Sequence, residues 1–294
     1  MATNPREIRR RIKSVKNIAQ ITKAMELTSA AKMRKAQAVA ISSRAYSIQT
    51  GELLRRLVGR TSYKHQLIER VLPEDKGYPR PEGNPRILVI LITSDRGLAG
   101  AFNSNVINKA LSMLRDEGKE KFDLITVGKK GADAARRFGY SVIAAYSAKD
   151  KNVSINDARP ITELAVADFL NFKYEKVFVV FSDFVSTLVQ KANIIQLLPF
   201  ADIPKNGNGE VLIEPGPDDV FENLVRKTIE FTVYQTLVET IASEHSARMV
   251  AMRNANEAAG ELIENLTLSY NQARQAGITR ELSEISAAKL AMEN

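Results

Sequence analysis

The chain of 294 residues contains no cysteine, no tryptophan and only two histidines, His65 and His245. Without cysteine it can form neither disulfides nor thiolate sites, which excludes thiol-based redox control and zinc held by cysteine. Two histidines far apart in sequence are also too few for a histidine-rich metal site. We therefore expect the chain to hold neither a metal ion nor a cofactor.

Long apolar runs are missing as well. None approaches the roughly 18 residues that a membrane-spanning helix needs. The first eleven residues, MATNPREIRRR, are not followed by the apolar core of a secretory signal. The sequence therefore predicts neither a membrane span nor a signal peptide.

Helix-breaking residues are scarce at both ends of the chain. Residues 6–50 contain neither proline nor glycine, and residues 218–294 contain no proline. Such stretches favour long helices, so we predict one helix over residues 1–60 and another over 218–294. Asp218 and Asp219 suit the positive end of the second helix dipole. At 1.5 Å per residue, that helix would be on the order of 110 Å long and would have to protrude or bundle.

The two ends carry opposite net charge. Residues 1–60 hold 14 Lys and Arg against three acids, a net charge of +11, whereas residues 217–294 hold seven bases against twelve acids, a net charge of −5. This difference suits the two helices to pair as an antiparallel coiled coil. The basic end also suits an acidic partner, which could be nucleic acid, an anionic membrane surface or an acidic protein loop.

A heptad-like spacing in both end segments predicts which residues face the opposite helix. In the first segment, the predicted seam is Val15, Ile18, Thr22, Met25, Ser29, Ala36, Val39, Ser43, Tyr46, Thr50, Leu53 and Leu57. In the second, it is Phe231, Tyr234, Val238, Ile241, His245, Arg248, Met252, Ala255, Ala259, Leu262 and Leu266. Many of these residues are small or polar, so the helices should pack closely but weakly. We interpret His245 and Arg248 as polar interruptions that set the register.

The middle of the chain has a different pattern. Proline and glycine cluster in residues 61–86 and 201–217, which predicts a connector and a loop. Between them, residues 87–200 alternate strand-like and helix-like segments, which predicts a Rossmann-like α/β domain with a mainly parallel sheet. Strands are predicted at 87–93, 124–127, 141–146 and 176–181, with a β-rich hairpin arm at 185–198, and helices at 103–117, 129–138 and 161–172.

Two glycine-containing turns resemble phosphate-binding loops at first sight. The first, Ser94–Gly100, directly follows a predicted strand, but it lacks the G-x-G pair that lets a backbone approach a pyrophosphate. The second, Gly128–Gly131, lacks both the earlier glycine and the later Ser or Thr of a phosphate loop. We interpret the first as a structural turn or partner contact and reject the second as a phosphate site.

Two alternative functions stay open from the residues alone. A coiled-coil nucleic-acid-binding protein could contact duplex phosphates through the basic residues Arg9, Arg10, Lys13 and Lys16. That helix has no aromatic residue before Tyr46, which argues against stacking on single strands. A small-molecule enzyme on the α/β domain is the other alternative, although no histidine lies in a catalytic-triad context.

Six strings distributed along the chain carry a family resemblance. They are Ile8–Ile12 (IRRRI), Ile21–Glu26 (ITKAME), Ala31–Lys35 (AKMRK), Ser94–Leu98 (SDRGL), Glu244–Met252 (EHSARMVAM) and Tyr270–Leu282 (YNQARQAGITREL). In this order they resemble the gamma subunit of F-type, bacterial-type ATP synthases. Ala99 stands where that family often has cysteine, and the cysteine-bearing insert of chloroplast members is absent, so thiol control is not expected.

The resemblance implies a central rotor stalk that catalyses no bond chemistry itself. The terminal helices would form a coiled coil inside a ring of three alpha and three beta subunits. The α/β domain would be the foot, which sits with the epsilon subunit on the c-ring, and the loop 201–217 would lie near that ring. The protein would then be peripheral to the cell membrane on its cytoplasmic side, with protein rather than nucleic acid as its acidic partner.

The resemblance also implies which residues bind partners. Arg274, Gln275, Thr279 and Glu281 would contact the catalytic beta subunits near the upper shaft. Met25, Lys32, Arg34 and Lys35 would lie near acidic levers of the beta subunits. Asp95 and Arg96, in the string that resembles the family's central motif, are further candidates for partner binding.

Overall fold

A computed structural model describes residues 5–60, 66–68, 87–115, 121–150, 153–200 and 217–292. Most of the predicted connector 61–86 and nearly all of the predicted loop 201–217 lie outside the described residues, so the division into five segments stays a prediction. In chain order the elements are α1 (Pro5–Arg60), β1 (Ile87–Ile92), α2 (Phe102–Arg115), β2 (Phe122–Val127), α3 (Lys129–Phe138), β3 (Ser141–Tyr146), α4 (Ile155–Leu170), β4 (Lys176–Phe184), β5 (Gln190–Leu198) and α5 (Pro217–Met292).

Helix α4 begins earlier than the predicted 161 because a capping box precedes it. Asp157 accepts hydrogen bonds at its Oδ2 from the backbone N–H and the hydroxyl of Ser154, at 2.9 and 3.1 Å. Pro160 therefore lies inside the helix rather than at its start. By contrast, α3 ends where predicted, at Gly139, whose φ of 75° closes the helix in the left-handed conformation.

The strands form one five-stranded sheet in the order β3-β2-β1-β4-β5. The pairs β1–β2, β1–β4 and β2–β3 are parallel. The last pair, β4–β5, is antiparallel, which confirms the predicted hairpin arm. The mainly parallel sheet and the long terminal helices confirm the predicted fold class.

Both faces of the sheet are covered, which explains the uninterrupted apolar run of β1. All six residues of this strand are buried. Leu88 and Ile90 face a core shared with α4 and α5, whereas Val89 and Leu91 face a second core shared with α2 and α3. The sheet is therefore the middle layer of three, as expected of a parallel sheet.

The chain forms two compact units. The coil unit consists of α1 up to Ser29 together with α5 from Met249 onward, and the α/β unit consists of Ala30–Arg248. Within the α/β unit, Ser43 donates a hydrogen bond to Gln235 at 2.6 Å, and the ring of Tyr46 lies 4.3 Å from that of Phe231. Residue numbers rise along α1 as they fall along α5, so the two helices are antiparallel.

The buried stripe of α1 differs from the predicted seam at Ile18, Tyr46 and Leu53, whereas the other predicted members are buried or partly buried. It is formed by the buried or partly buried residues Ile8, Ile12, Val15, Ala19, Thr22, Glu26, Ser29, Met33, Ala36, Ala40, Ser43, Ser47, Thr50 and Leu54. The predicted members Ile18 and Leu53 are about half exposed, at 50% and 48%. At Ile18 the prediction followed the larger apolar residue, whereas the helix turns the smaller Ala19 inward. At Leu53 the inward residue is the neighbouring Leu54.

Helix α5 is buried differently in the two units. In the coil unit, its stripe is Met252, Asn256, Ala259, Ile263, Leu266, Tyr270, Ala273 and Gly277, so Ile263 replaces the predicted Leu262. In the α/β unit, consecutive residues from Gln235 to Thr240 are all buried. The helix is enclosed there on every side, and a single seam cannot describe it.

Candidate functional site

The carboxyl ends of β1 and β3 lead into turns that lie beside α5. In parallel α/β sheets, this edge is where binding crevices form. Here the first turn follows β1 at Thr93–Ala101, and the second follows β3 at Ser147–Asp150. Helices α1 and α5 also reach this edge within the α/β unit. The edge therefore brings together residues of α1, the turn after β1, the turn after β3 and α5.

The turn after β1 is fixed by hydrogen bonds within the chain. The Oδ1 of Asp95 accepts from the backbone N–H groups of Lys129 and Ala148, at 2.8 and 3.2 Å. The backbone N–H of Ser94 donates to the side chain of Asn103 at 3.1 Å. The turn exposes 65% of Leu98 at a positive φ of 61°. The sequence SDRGL therefore forms a braced surface turn, as the structural interpretation predicted.

The second glycine turn packs against the end of β1. A Cβ on Gly128 would lie 2.4 Å from the carbonyl oxygen of Thr93, and the φ of Gly128 is +94°. The N–H of Gly131 donates to the Thr93 hydroxyl at 2.8 Å. Both glycines thus permit a close approach of α3 to β1, which explains them without a phosphate.

A chain of polar contacts links the two turns to both long helices. Lys32 of α1 donates to Oδ2 of Asp150 at 2.5 Å, and Nε2 of His245 lies 3.3 Å from Oδ1 of Asp150. Arg248 donates to Nδ1 of His245 at 3.2 Å, to Glu244 at 2.5 Å and to the carbonyl oxygen of Gly97 at 3.4 Å. We call Lys32, Asp150, Glu244, His245 and Arg248 the polar bridge. Its contacts correct the prediction that His245 and Arg248 interrupt the seam, because their side chains reach the turns instead.

Burial and neighbouring charge determine the protonation of the polar bridge. Burial, with the nearby Arg248 charge, lowers the pKa of His245 to about 4, so the ring is neutral at pH 7. Burial raises the pKa of Glu244 despite its contact with Arg248. Burial raises the pKa of Asp150 as well, but the hydrogen bond and charge of Lys32 outweigh it and leave the pKa lowered.

A second polar cluster joins α1, α5 and β4 in the α/β unit. Both Nε and one terminal nitrogen of Arg44 donate to Oε1 of Glu239, at 3.0 and 2.7 Å. Gln235 donates to the same oxygen at 2.7 Å, and Arg44 lies 3.5 Å from Asp183. Burial raises the pKa of Glu239. This cluster attaches the two helices to each other without involving the turn after β1.

An ion pair links the two helices of the coil unit. Arg253 of α5 donates to Oε1 of Glu26 of α1 at 3.3 Å, and Lys23 donates to Oε2 of Glu26 at 3.0 Å. The hydrogen bond from Lys23, followed by the contribution of Arg253, lowers the pKa of Glu26 although this residue is only 6% exposed. A buried charge at a seam position fixes the register of a helix pair.

Two cavities flank the polar bridge in the α/β unit. One of about 330 Å³ is lined by Ala31, Lys32, Lys35, Ala36, Val39, Asp150, Val153, Val238 and Ile241. Another of about 220 Å³ lies at the strand ends, with Thr93, Tyr146, Lys149 and Glu244 among its lining residues. Within the described part of the chain, no three or more His, Asp or Glu side chains are grouped as a metal site would need.

Comparison with known sequences identifies the family. Residues 4–292 match the sequence profile of a family described as ATP synthase. The ATP synthase gamma chain of Pelotomaculum thermopropionicum is 41% identical over 292 residues, which cover 98% of this chain and 99% of that relative. The gamma chain of Symbiobacterium thermophilum is 39% identical over 297 residues and covers 100% of both chains. The chain belongs to the ATP synthase gamma chain family.

Solved structures agree with the gamma chain fold. A chain from the Euglena gracilis mitochondrial ATP synthase, in an assembly of OSCP, F1 and c-ring, matches with a TM-score of 0.69 and 21% identity over 98% of this chain and 94% of that one. A chain from the central stalk and c-ring of the Tetrahymena thermophila mitochondrial ATP synthase matches with a TM-score of 0.60 and 22% identity over 80% and 99%. At these identities the likeness concerns the fold.

Membership of the gamma chain family agrees with the predicted resemblance. The relatives lend no support to the nucleic-acid-binding alternative. Among the described helices, none combines the length and the apolar character that crossing a bilayer requires.

The predicted partner-binding residues do not form one cluster. Arg274, Gln275, Thr279 and Glu281 are exposed on α5 in the coil unit, where Thr279 donates to the carbonyl oxygen of Gln275 at 3.0 Å. Met25 is partly buried in the same unit. These residues share one unit, and their role as partner contacts stays a prediction.

The remaining predicted residues lie in the α/β unit. Arg34, Lys35 and Arg96 are exposed. Lys32 is ion-paired with Asp150, and Asp95 braces its own turn. Sequence reasoning missed Asp150, because it lies 118 residues from Lys32 and no spacing rule connects them. The motif EHSARMVAM did contain Glu244, His245 and Arg248, but it did not reveal what they contact.

Proposed function

We propose that this chain is the central rotor stalk of an F-type ATP synthase. Its turning couples ion-driven rotation of a c-ring to conformational change in catalytic beta subunits, for ATP synthesis or hydrolysis. The observation that carries the proposal is the end-to-end match, since gamma chains 41% and 39% identical to this chain align over 98% and 100% of it. Neither the coil unit nor the α/β unit is missing from that alignment.

The proposed mechanism is mechanical rather than chemical. A rotor changes the state of a surrounding subunit only if its faces differ in contact free energy with that subunit. The two long helices provide unlike faces, because α1 exposes Arg9, Arg10, Lys13 and Lys16 while α5 exposes Glu257, Glu261 and Glu264. Charge contacts act over several ångströms without interlocking, which suits a surface that has to keep turning.

We assign contacts with the beta subunits to the exposed group on α5. Arg274, Gln275, Thr279 and Glu281 offer one cation, one anion and two uncharged polar groups within two helical turns. All four side chains are solvent-exposed. Such groups can exchange partners at each step of rotation because their side chains face solvent, and the Thr279 hydroxyl has only the carbonyl oxygen of Gln275 to release.

A second contact region is proposed near the junction of α1 with the turn after β1. Arg34 and Lys35 are exposed cations on α1, and Arg96 is an exposed cation on the braced turn. They suit acidic levers of the beta subunits. Met25, in the coil unit, is a separate and partly buried apolar candidate. Lys32 can serve in this role only together with Asp150, because the two side chains lie 2.5 Å apart.

In this proposal the subunit carries no catalytic residue of its own. The ATP chemistry belongs to the beta subunits, and the α/β unit is a foot that binds the epsilon subunit and the c-ring. The protein would be peripheral to the cell membrane, on its cytoplasmic side, and held there through the c-ring. Asp95 contributes by fixing the turn that presents Arg96.

Reconstitution tests the proposed function directly. The purified chain is mixed with matching alpha and beta subunits, and complex mass and ATP hydrolysis are measured with and without it. We expect one copy per three alpha–beta pairs and a strong rise in hydrolysis. A chain that neither joins the complex nor raises hydrolysis contradicts the proposal, and duplex binding through α1 would then be measured, with its salt dependence as the readout.

A further inference from the structure

The polar bridge forms an unbroken path from α1 to the turn that carries Arg96. It starts at Lys32, passes through the carboxylate of Asp150 to the ring of His245, and continues through Arg248 to the carbonyl oxygen of Gly97. The contacts join residues 118, 95 and 151 positions apart in sequence. All of these residues lie in the α/β unit.

The bridge spans a place where α1 is not packed against its neighbours. The cavity of about 330 Å³ is lined by Lys32, Ala36 and Val39 of α1 and by Val238 and Ile241 of α5. A void forfeits the dispersion contacts that would otherwise hold two helices together. The Lys32–Asp150 pair therefore carries a larger share of the attachment of α1 at this level than an ion pair beside a filled core would.

The hydrogen-bond partners of His245 permit only one of its two neutral tautomers. Arg248 can only donate, so Nδ1 of His245 accepts and Nε2 carries the hydrogen. That hydrogen points toward Asp150, whose Oδ1 and carbonyl oxygen lie 3.3 and 3.4 Å from Nε2. The side chain of His245 is 2% exposed, so water does not compete for either nitrogen. The ring connects one donor to one acceptor and cannot do so in the other tautomer.

We propose that His245 and Arg248 are positioning residues that hold Lys32 of α1 and the turn Ser94–Leu98 in one fixed arrangement. The inference rests on the proposed function, because it assigns to these residues the presentation of Arg96 and the neighbouring α1 surface to the beta subunits. A force applied to the turn is passed to α5 through Gly97 and Arg248. The same force reaches α1 through His245, Asp150 and Lys32. When the bridge is cut, the turn and α1 respond separately to the partner.

Arg44 provides a matched control within the same unit. Its guanidinium donates to Glu239 at 2.7 Å and joins α1 to α5, as the polar bridge does, but its other contact is with Asp183 of β4 and not with the turn after β1. Arg44→Met therefore removes an inter-helix ion pair without releasing Gly97. If weaker attachment of α1 were the only cause of a functional loss, Arg44→Met and a variant of the polar bridge should lose coupling between ATP hydrolysis and ion pumping equally.

The functional test uses the complete ATP synthase in vesicles, with wild type, His245→Leu, His245→Gln and Arg44→Met chains. The measurement is the number of ions pumped per ATP hydrolysed, together with Tm and subunit content. We expect His245→Leu to assemble and to pump about twofold fewer ions per ATP, or fewer still. His245→Gln, which keeps a donor and an acceptor, should restore most of the ratio. Arg44→Met should keep the wild-type ratio even where its Tm falls as far.

Either of two results overturns the inference. One is a wild-type pumping ratio in His245→Leu, and the other is an equal loss of ratio in Arg44→Met and His245→Leu at equal Tm. If the wild-type chain itself fails to assemble or to stimulate hydrolysis, the proposed rotor function fails instead, so the two failures are distinguishable.

A spectroscopic test requires no partner subunit. The chain has two histidines, so the imidazole nitrogen resonances of His245 can be assigned with a His65→Gln variant. In the isolated full chain at pH 7, we expect the neutral tautomer with hydrogen on Nε2. Arg248→Met should allow exchange between tautomers, whereas Arg44→Met should not. A His245 ring that already exchanges tautomers in the wild-type chain contradicts a fixed bridge.

Discussion

The coil unit and the α/β unit are held together in different ways. In the α/β unit, consecutive strand residues such as Leu88, Val89 and Ile90 have no exposed surface at all. Among the described residues of the coil unit, the buried ones are few, and they are Ile8, Thr22, Glu26, Ser29, Met249, Met252 and Ala259. Three of its four buried α1 positions are thus polar or charged.

This difference indicates which unit can stand alone. Hydrophobic burial is the main favourable contribution to folding, at about 25 cal/mol per Å² of apolar surface. The α/β unit obtains that contribution from two cores, one on each face of its sheet. A pair of helices with a narrow seam obtains much less, and helical stability usually comes from such packing. The coil unit therefore leaves most of its surface for partners, at the expense of its own stability.

The largest expected effect is at a glycine of the α/β unit. In Gly128→Ala the new Cβ would lie 2.4 Å from the Thr93 carbonyl oxygen, at a φ of +94°. Backbone strain and overpacking together should lower the free energy of unfolding by about 2–6 kcal/mol. The matched variant in the coil unit is Gly260→Ala, which meets nothing within 4 Å in a helix. It should gain about 1 kcal/mol.

Urea denaturation followed by circular dichroism measures both glycine variants. The free energy of unfolding should fall in Gly128→Ala and rise in Gly260→Ala. If Gly128→Ala retained wild-type stability, the close approach of α3 to β1 would be wrong. A destabilised Gly260→Ala would mean that a contact outside the described structure uses this glycine.

The next effect compares apolar residues of the two units. Leu88→Ala removes a side chain with 0% exposure from the core between the sheet, α4 and α5. This substitution should lower the free energy of unfolding by about 2–5 kcal/mol. Ile12→Ala in the coil unit truncates a partly buried side chain, and it should cost about 1 kcal/mol because less apolar area returns to water. Chemical denaturation of the isolated chain checks the order, and an equal or larger loss in Ile12→Ala contradicts the comparison of the units.

Smaller effects are expected from two buried glutamates, and they have opposite dependences on pH. Hydrogen bonds from Lys23 and Arg253 lower the pKa of Glu26, whereas burial raises the pKa of Glu239. The stabilisation from Glu26 is present above the ordinary pKa of 4.5 and is lost as pH falls through the lowered value. The contribution of Glu239 is present below 4.5 and is lost as pH rises through the raised value.

Glu26→Gln and Glu239→Gln separate these two contributions. The excess stability of wild type over Glu26→Gln should increase as pH rises through the range below 4.5. The excess over Glu239→Gln should decrease as pH rises above 4.5. Urea titrations over about pH 3 to 7 measure both differences. Slopes of the same sign in the two units would show that one of the two carboxyl environments is wrong.

The same contrast explains which parts of the fold could be predicted from the sequence. The run of β1 was predictable because a strand covered on both faces is continuously apolar. The α1 stripe was predicted correctly at Val15, Thr22 and Ser29, but it was displaced by one residue at Ala19 and Leu54. When the buried residues of a helix are small, their hydrophobicity differs little from that of their exposed neighbours. At Ala19, the larger neighbour Ile18 was therefore predicted to be buried although it is exposed.

The candidate site was only partly predictable for a related reason. Family strings marked Glu244, His245 and Arg248, yet their partners lie in turns about 95 to 150 residues away. Which loop an α5 side chain reaches depends on how the helix crosses the sheet edge, and no local spacing encodes that. Asp150 has no motif around it, so only the folded chain reveals it as the centre of the polar bridge.

The smallest expected change in stability has the largest bearing on the coil unit's proposed role. Arg274→Ala combined with Gln275→Ala alters two exposed side chains of α5, so the free energy of unfolding should stay within about 0.5 kcal/mol of wild type. The complex should still assemble, but its ATP hydrolysis should fall, because the proposed beta contacts are lost. Asn265→Ala with Ser269→Ala, exposed on the same helix, serves as the control and should lose less. Unchanged turnover in the first pair, or equal loss in both, would remove the assignment to Arg274 and Gln275 while leaving the rotor proposal to be judged by reconstitution.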